Sequence, residues 1–306
     1  MIALKLTDLY KKYATGVEAL KGINLEIKVG DFFALLGHNG AGKSTTIGII
    51  CSLISKTKGS VSILGYDIDD DFAKAKRNLG IVPQEFNFSI FETAWQILIQ
   101  QAGYYGVAES IAAIRAEKYL KMLNLWEKRH ARSATLSGGM KRRLMICRAL
   151  IHEPPILILD EPTAGVDVEA RRLVWDFLKQ LNKAGKTIIL TTHYLEEVES
   201  LCQNLAIIDN GQMIAHDSVR NIMRQLTRET YCLDLQKPLQ KFPSIADVQF
   251  SINNDDEHSI EVSLDKNFDL CQLFAQLQKA GAVVRGIRNK NNPLEELFLQ
   301  LTSRKS

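Results

Sequence analysis

The stretch Phe32-Phe33-Ala34-Leu35-Leu36-Gly37-His38-Asn39-Gly40-Ala41-Gly42-Lys43-Ser44 decides how the rest of the chain is read. Its five opening apolar residues suit a buried strand, and the eight that follow fill G-x-x-x-x-G-K-[ST]. A helix is predicted from Lys43 to about Leu53. Strand, glycine loop and helix in that order form an anion cradle. Glycines let successive backbone N–H groups converge on phosphate oxygens without interference from Cβ, and the helix N-terminus adds partial positive charge. Lys43 is long enough to reach β and γ phosphates, and the Ser44 hydroxyl can ligate Mg²⁺. The rival dinucleotide pattern G-x-G-x-x-G, begun at Gly40, requires a glycine where Thr45 stands.

Working outward, Ile156-Leu157-Ile158-Leu159-Asp160-Glu161-Pro162 places two carboxylates at the end of a four-residue apolar run. Ligands of parallel sheets bind at the C-terminal ends of strands. Asp160 is there suited to hold Mg²⁺, directly or through water, and Glu161 to take a proton from an attacking water. Taken alone, adjacent acids at a strand end are often only solvated, and it is the glycine loop that lends them meaning. A third element is Leu136-Ser137-Gly138-Gly139-Met140-Lys141-Arg142-Arg143, followed by helical apolar spacing through Leu144, Cys147 and Leu150. Ser137 reads as an N-cap. A second glycine-bearing helix start is a second anion site, more than one nucleotide obviously needs.

The remaining pattern gives the organisation. Ala19 to Ile27 and Val61 to Leu64 are strand-like runs punctuated by glycine. From Phe91 to His152 the spacing becomes helical, as in Ile111, Ile114, Tyr119, Leu120, Met122 and Leu123. Between Ile156 and Ile208 strands and helices alternate, with continuous apolar strands of the kind that lie in a buried parallel sheet. The character changes near His216 to Gln225. Beyond it, strands are predicted at Tyr231 to Leu235, Val248 to Ile252, Ser259 to Leu264 and Val283 to Ile287, with helices from Phe268 to Lys279 and from Pro293. The cluster Asp255-Asp256-Glu257-His258 follows two asparagines and reads as a hairpin turn.

Composition excludes several classes. At 306 residues and 46% hydrophobic, the chain can bury sizeable cores and is not disordered. A net charge of +3, from 38 basic against 35 acidic residues, gives no general reason to expect nucleic acid. Residues 215 to 306 carry 12 of each sign, so the whole excess lies in the first 214. Five scattered cysteines without a C-x-x-C pair suggest neither a disulfide framework nor a zinc site. The opening MIALKLTDLY lacks the basic and apolar regions of a signal peptide, and no run approaches the ~18 apolar residues that cross a bilayer. Work at a membrane would need another chain to span it.

Over roughly residues 2 to 215 the sequence closely resembles the ATP-binding-cassette (ABC) family, in particular ATPase subunits of its bacterial drug and polysaccharide exporter branch. The resemblance implies that Gly37 to Thr45 is the Walker A loop, that Tyr13 stacks on adenine, and that ATP and Mg²⁺ are bound. It matches Gln84 in Val82-Pro83-Gln84 to the Q-loop glutamine, which senses Mg²⁺ and the attacking water. Leu136 to Met140 match the signature, Asp160 and Glu161 the Walker B acids, Asp167 the D-loop aspartate, and His193 after Thr191-Thr192 the switch histidine. Alone, Tyr13, Gln84 and His193 would be a surface tyrosine, a loop amide and a helix-start residue. Met140 stands where the family's signature more often has Gln, and the D-loop reads AGVD rather than SALD. The contact-making Ser137, Gly138, Gly139 and Asp167 are intact.

The fold so implied is α/β: a P-loop ATPase cassette over residues 1–215 with a mostly parallel core sheet, an N-terminal antiparallel β part and a helical subdomain at about 85–152. Residues 216–306 would form a small C-terminal α+β domain, which could serve dimer stabilisation or regulation or be a passive extension. In the family, two cassettes pack head to tail and the signature of one meets the γ-phosphate held by the other. One motif set per chain thus implies a homodimer driving separate transmembrane permease subunits, the chain being peripheral on the cytoplasmic side of the membrane. The three phenylalanines Phe86, Phe88 and Phe91 border the groove that receives a permease helix in that family. The alternative is a soluble ATPase of the same superfamily acting on DNA or the ribosome; such proteins usually carry a long coiled coil or tandem cassettes, and this sequence shows neither.

Overall fold

β1 (Ile2–Lys12) and β2 (Glu18–Lys28) alternate buried apolar with exposed charged residues, so each strand has one face for a core and one for water. They pair antiparallel, Leu6 opposite Leu25, and β1 also pairs antiparallel with β4 (Lys58–Ile63), which in turn pairs with the short β5 (Tyr66–Asp67). The computed structural model describes residues 1–225, 228–239, 242–252, 256, 258–290, 292 and 294–298.

The second sheet is built from strands buried throughout. β3 (Phe32–Leu36), β7 (Ile156–Asp160) and β8 (Thr187–Thr191) bury every apolar residue, as their unbroken hydrophobic runs require of strands covered on both faces. With β6 (Leu79–Val82), β9 (Asn204–Asp209) and β10 (Gln212–Ser218) they form a six-stranded sheet in the order β10-β9-β3-β8-β7-β6. All neighbours run parallel except β9 and β10. Alternate residues of β3 and β7, Phe33, Leu35, Ile156 and Ile158, join Leu4, Leu6, Ile23 and Leu25 of the first sheet and Ile47 and Ile50 of α1 (Lys43–Ile50) in one apolar core. The core sheet and the antiparallel N-terminal sheet are the ones expected.

Helix α1 stops short of the predicted Leu53. Ser52 takes a left-handed conformation at φ 57°, and the Gly48 carbonyl accepts from the N–H groups of both Leu53 and Ile54, which closes the helix end. β5, α2 (Phe72–Arg77) and β6 have no counterpart in the sequence reading, being too short to display a period.

The helical block contains α3 (Ala94–Tyr104), α4 (Glu109–Met122) and α5 (Gly138–Leu150). Thr93 and Gln96 make a reciprocal capping box at the start of α3. The buried stripe of α4 is Ala112, Ala116, Tyr119 and Leu120, while Ile111 and Ile114, counted into the apolar spacing, are exposed. α6 (Val168–Lys183) and α7 (Leu195–Leu201) connect the later strands.

The chain divides into two compact units, Met1–Val219 and Arg220–Ser306, the division lying within α8 (Val219–Arg224). In the second unit β11 (Arg228–Leu235), β12 (Gln249–Ile252), β13 (Ser259–Asp265) and β14 (Val284–Asn289) form an antiparallel sheet in the order β12-β13-β11-β14. α9 (Leu270–Lys279) packs Leu273 and Leu277 against Leu233, Val262 and Leu264. The Asp255 to His258 cluster falls between the paired strands β12 and β13, though Asp255 and Glu257 lie outside the described residues. Residues 294–298 are helical, and Pro293, where that helix was predicted to begin, is also outside them. Among the described residues no helix is long and apolar enough to cross a membrane.

Candidate active site

Four adjacent parallel strands, β3, β8, β7 and β6, end on the same edge of the core sheet, and each runs into one sequence motif. Leu36 leads into Gly37, Thr191 lies two residues before His193, Asp160 ends β7, and Val82 precedes Pro83 and Gln84. Register keeps these ends level: Leu35 and Asp160 both lie beside Thr191, and Val82 beside Leu159.

The loop from Gly37 needs its glycines. A Cβ at Gly37 would sit 2.3 Å from the Ile208 carbonyl oxygen, and Gly42, at φ 114°, would put one 2.8 Å from the Ala19 carbonyl oxygen. The backbone thus packs against Ile208 and Ala19 more closely than a side chain allows, in a glycine-rich loop of the kind suited to phosphate. His38, Asn39, Gly40, Gly42, Lys43, Ser44 and Thr45 line a cavity of about 160 Å³ together with Gln84, Asp160 and Glu161. Lys43 Nζ donates to the carbonyls of Gly37 (2.6 Å) and His38 (3.0 Å), curled over its own loop. Burial pushes its pKa down, while the charges of Glu161 and Asp160 act in the opposite direction.

Glu161 is the hub. It occupies a left-handed backbone conformation at φ 49°, held by its N–H, which donates to the Thr191 carbonyl at 3.0 Å and also lies 3.3 Å from Thr191 Oγ1. Its side chain accepts from Gln84 Nε2 at Oε2 (3.1 Å), and His193 Nδ1 lies 3.2 Å from Oε1. The Thr191 hydroxyl donates to Asp160 Oδ1, so one threonine steadies both acids. A non-glycine residue in this conformation stores backbone strain at the point where the two carboxylates are aimed.

Tyr13 approaches the same loop from the N-terminal sheet side, its hydroxyl 3.2 Å from Thr45 Oγ1. Ala41 is buried beneath the loop, its carbonyl accepting from Gly211 N–H. Ser137, Gly138, Gly139 and Asp167 do not line the cavity. Ser137 caps α5 by accepting from Met140 N–H at 3.3 Å, and Asp167 caps α6 by accepting from Ala170 N–H at 2.8 Å. These two helix starts are neighbours, since a Cβ on Gly139 would lie 3.8 Å from Val166. Ser137, Gly138 and Asp167 are exposed, forming a second patch on the same unit.

Sequence reasoning missed three supports. Arg142, almost fully buried on α5, donates to the carbonyls of Pro83 and Gln84. Thr191 is the second. The third is Glu197 on α7, completely buried, which accepts from the Thr163 hydroxyl and from Trp175 Nε1 (3.0 Å) and so fastens the turn after Glu161. Each acts through a contact between distant positions, although a charged residue on an otherwise apolar helix face was a signal available for Arg142 and Glu197.

A family model described as "ABC transporter" matches residues 20–164. The linearmycin resistance ATP-binding protein LnrL of Bacillus subtilis is 37% identical over 93% of this chain and 94% of its own length. A Nod factor export ATP-binding protein I of Cupriavidus metallidurans is 35% identical over 98% of this chain and 97% of its own. Among solved structures, the ATP-binding subunit of an ABC transporter superposes with a TM-score of 0.68 at 31% identity, covering 73% of this chain and 92% of that one. A dimeric ATP-binding cassette in a post-hydrolysis state bound to ADP and Pi superposes with a TM-score of 0.66 at 30% identity, covering 71% of this chain and 99% of that one.

Proposed function

The chain belongs to the ABC transporter family as an ATP-binding, ATPase subunit, and from that premise we propose that it drives a membrane exporter through the closing and opening of a head-to-tail pair of cassettes. The observation that carries this reading is the contact of Glu161 with both Gln84 and His193 at the mouth of the Gly37 to Thr45 cradle. The export role follows the relatives, one linked by its name to linearmycin resistance and another to Nod factor export.

In this reading Gly37 to Thr45 hold the triphosphate of the ATP substrate, Lys43 neutralises its β and γ phosphates and Tyr13 stacks on the base. The donor set suits Mg²⁺, which takes one or two protein oxygens and completes its shell from phosphate and water. Ser44 and Asp160, with Gln84 beside them, would hold it, and it would supply charge neutralisation on the phosphate oxygens. Glu161 orients the attacking water and takes its proton, with Gln84 fixing one carboxylate oxygen and His193 standing at the other. His193 would then touch the γ-phosphate, a role supported by its exposure and by its contact with Glu161.

Ser137, Gly138, Gly139 and Asp167 serve the site of a second copy. Ser137, Gly138 and Asp167 are exposed and none of the four lines the cavity of its own chain, which supports this role, because a glycine-bearing helix start suits an anion. ATP then joins the two copies and hydrolysis releases them.

The membrane partner is a separate permease, and the chain sits on the cytoplasmic face as a peripheral subunit. Phe86 and Phe91 are exposed just after Gln84, and exposed aromatic residues suit an amphipathic helix of a partner. The C-terminal unit, Arg220–Ser306, is an accessory domain. The test is Mg²⁺-dependent ATP hydrolysis by the purified chain, abolished in Lys43→Ala, together with co-purification of a polytopic membrane protein that Phe88→Asp and Phe91→Asp release. Absence of hydrolysis, alone and with the permease, refutes the enzyme reading; retention of the permease by both Asp variants refutes the docking role of the aromatic segment.

A further inference from the structure

Arg142 is 5% exposed, and it uses both terminal nitrogens on a segment 58 to 59 residues away. Nη1 donates to the Pro83 carbonyl at 2.9 Å and Nη2 to the Gln84 carbonyl at 2.8 Å. The guanidinium lies 5.1 Å over the ring of Phe86. Its Nε is buried with no hydrogen-bond partner among the described residues, so desolvation of the charge is only partly compensated. Among the described residues Arg142 forms no ion pair at contact distance, though the field of Asp160 and Glu161 favours its charged form. A buried cation held in this way costs stability that an apolar residue on the same helix face would not. A role in the site accounts for it better than packing does.

Both ends of the contact lead to the reaction. Arg142 lies on α5, five residues beyond the Ser137 cap, and the residue whose carbonyl it holds is the one whose amide reaches Glu161 Oε2 at 3.1 Å. Phe86, on which the guanidinium rests, is the first of the exposed aromatics beyond that loop.

We propose that Arg142 is a positioning residue that locks the Gln84 loop to the helix carrying Ser137 and Gly139, so that the Gln84–Glu161 contact and the face offered to a second copy are set together. The inference rests on the ATPase reading above. A displacement of Phe86 by a docked partner would thereby be felt at Glu161 through two hydrogen bonds and one side chain. The fork matters: guanidinium spans two successive carbonyls, whereas an ammonium reaches them as a single point.

The experiment measures kcat, KM and the affinity for a fluorescent ATP analogue in the full chain, with single-turnover assays for slow variants. Arg142→Met lowers kcat by about tenfold while KM and analogue affinity stay within about twofold, and Arg142→Lys recovers part of the loss. Because Arg142 acts through Gln84, the double variant Arg142→Met/Gln84→Ala is no slower than Gln84→Ala alone. Arg115→Met is the control for structure: Arg115 likewise donates to a backbone carbonyl, that of Ile151, and pairs with Glu153, away from the cavity. It lowers the melting temperature without changing kcat. Should Arg142→Met fail to fold, Arg142→Lys carries the test by the same split of kcat from KM. An Arg142 variant that behaves as Arg115→Met does, or a double variant slowed by the product of the single effects, overturns the proposal. A wild-type chain that binds the analogue and hydrolyses nothing overturns the ATPase reading, and this proposal with it.

Discussion

Replacing Thr191 by Val removes one hydroxyl and leaves volume and β-branching in place, at a position wholly buried in the core sheet. The hydroxyl donates to Asp160 Oδ1 and lies 3.3 Å from the Glu161 N–H, whose main bond, to the Thr191 carbonyl at 3.0 Å, is untouched. A hydrogen bond to a charged group contributes roughly 1.5–3 kcal/mol, and because Asp160 is partly exposed, water replaces some of it, which puts the loss near the low end, about 1.5 kcal/mol. With a shift of about 2–4 °C per kcal/mol for a unit of this size, the melting temperature falls by about 3–6 °C. Freed of its donor, the Asp160 carboxylate also turns more readily, and a loss of about 1.4 kcal/mol in transition-state alignment lowers kcat about tenfold. Thr191→Ser is the converse, keeping the hydroxyl and losing a methyl group, with a stability cost of about 1 kcal/mol. Thermal melts and steady-state ATPase assays at saturating ATP read both effects. A Val variant as active as wild type beside an impaired Ser variant would refute the reasoning, because packing and not the hydroxyl would then be what matters.

Gly37→Ala places a methyl group 2.3 Å from the Ile208 carbonyl oxygen, so nucleotide binding by the fluorescent analogue falls to background, whereas Gly40→Ala, with open space at its Cβ, retains binding with a weaker effect from its φ of 82° alone. His152 stacks on Tyr105 at 3.6 Å, and burial, the main cause, lowers its pKa from 6.5 to about 4, its Nδ1 having no hydrogen-bond partner among the described residues to stabilise a second proton. The unfolded chain therefore binds a proton near pH 6.5 that the folded chain refuses, so stability is intact above pH 6.5 and declines as pH falls toward 4. His152→Phe, which keeps the stack, flattens that part of the curve of melting temperature against pH, and an unchanged slope contradicts the assignment.

The parts of this molecule that were legible in the sequence are contiguous. Gly37 to Ser44 carry their own backbone requirement, and Ile156 to Asp160 announce a strand buried on both faces by lacking any alternation. The strand β3 was delimited to the residue for the same reason. Short elements escaped: β6 has four residues, one of them Gly80, packed so closely that a Cβ would meet the Ala149 carbonyl oxygen at 2.4 Å, and four residues cannot show a period. In α4 the apolar spacing holds at Tyr119 and Leu120, which are buried, but in the first half of the helix Ala112 and Ala116 take the buried stripe while Ile111 and Ile114 face outward, because close packing there selected small side chains. The motifs around Lys43, Gln84, Asp160 and Glu161 were readable, and these residues line one cavity, but the residues that support them were not. Arg142, Thr191 and Glu197 act across separations that only the order β3-β8-β7-β6 and the packing of α5 and α7 bring together.

The central claim is that Glu161 ends the ATP-bound state of a two-copy assembly. Gel filtration of Glu161→Gln with ATP tests it most directly, since the amide keeps the size of the side chain and removes its capacity to take a proton. The account predicts a stable dimer in ATP and Mg²⁺, hydrolysis reduced at least about a hundredfold, and monomers in ADP. A Glu161→Gln chain that remains monomeric with ATP, both with and without Mg²⁺, or that hydrolyses ATP at the wild-type rate, contradicts it.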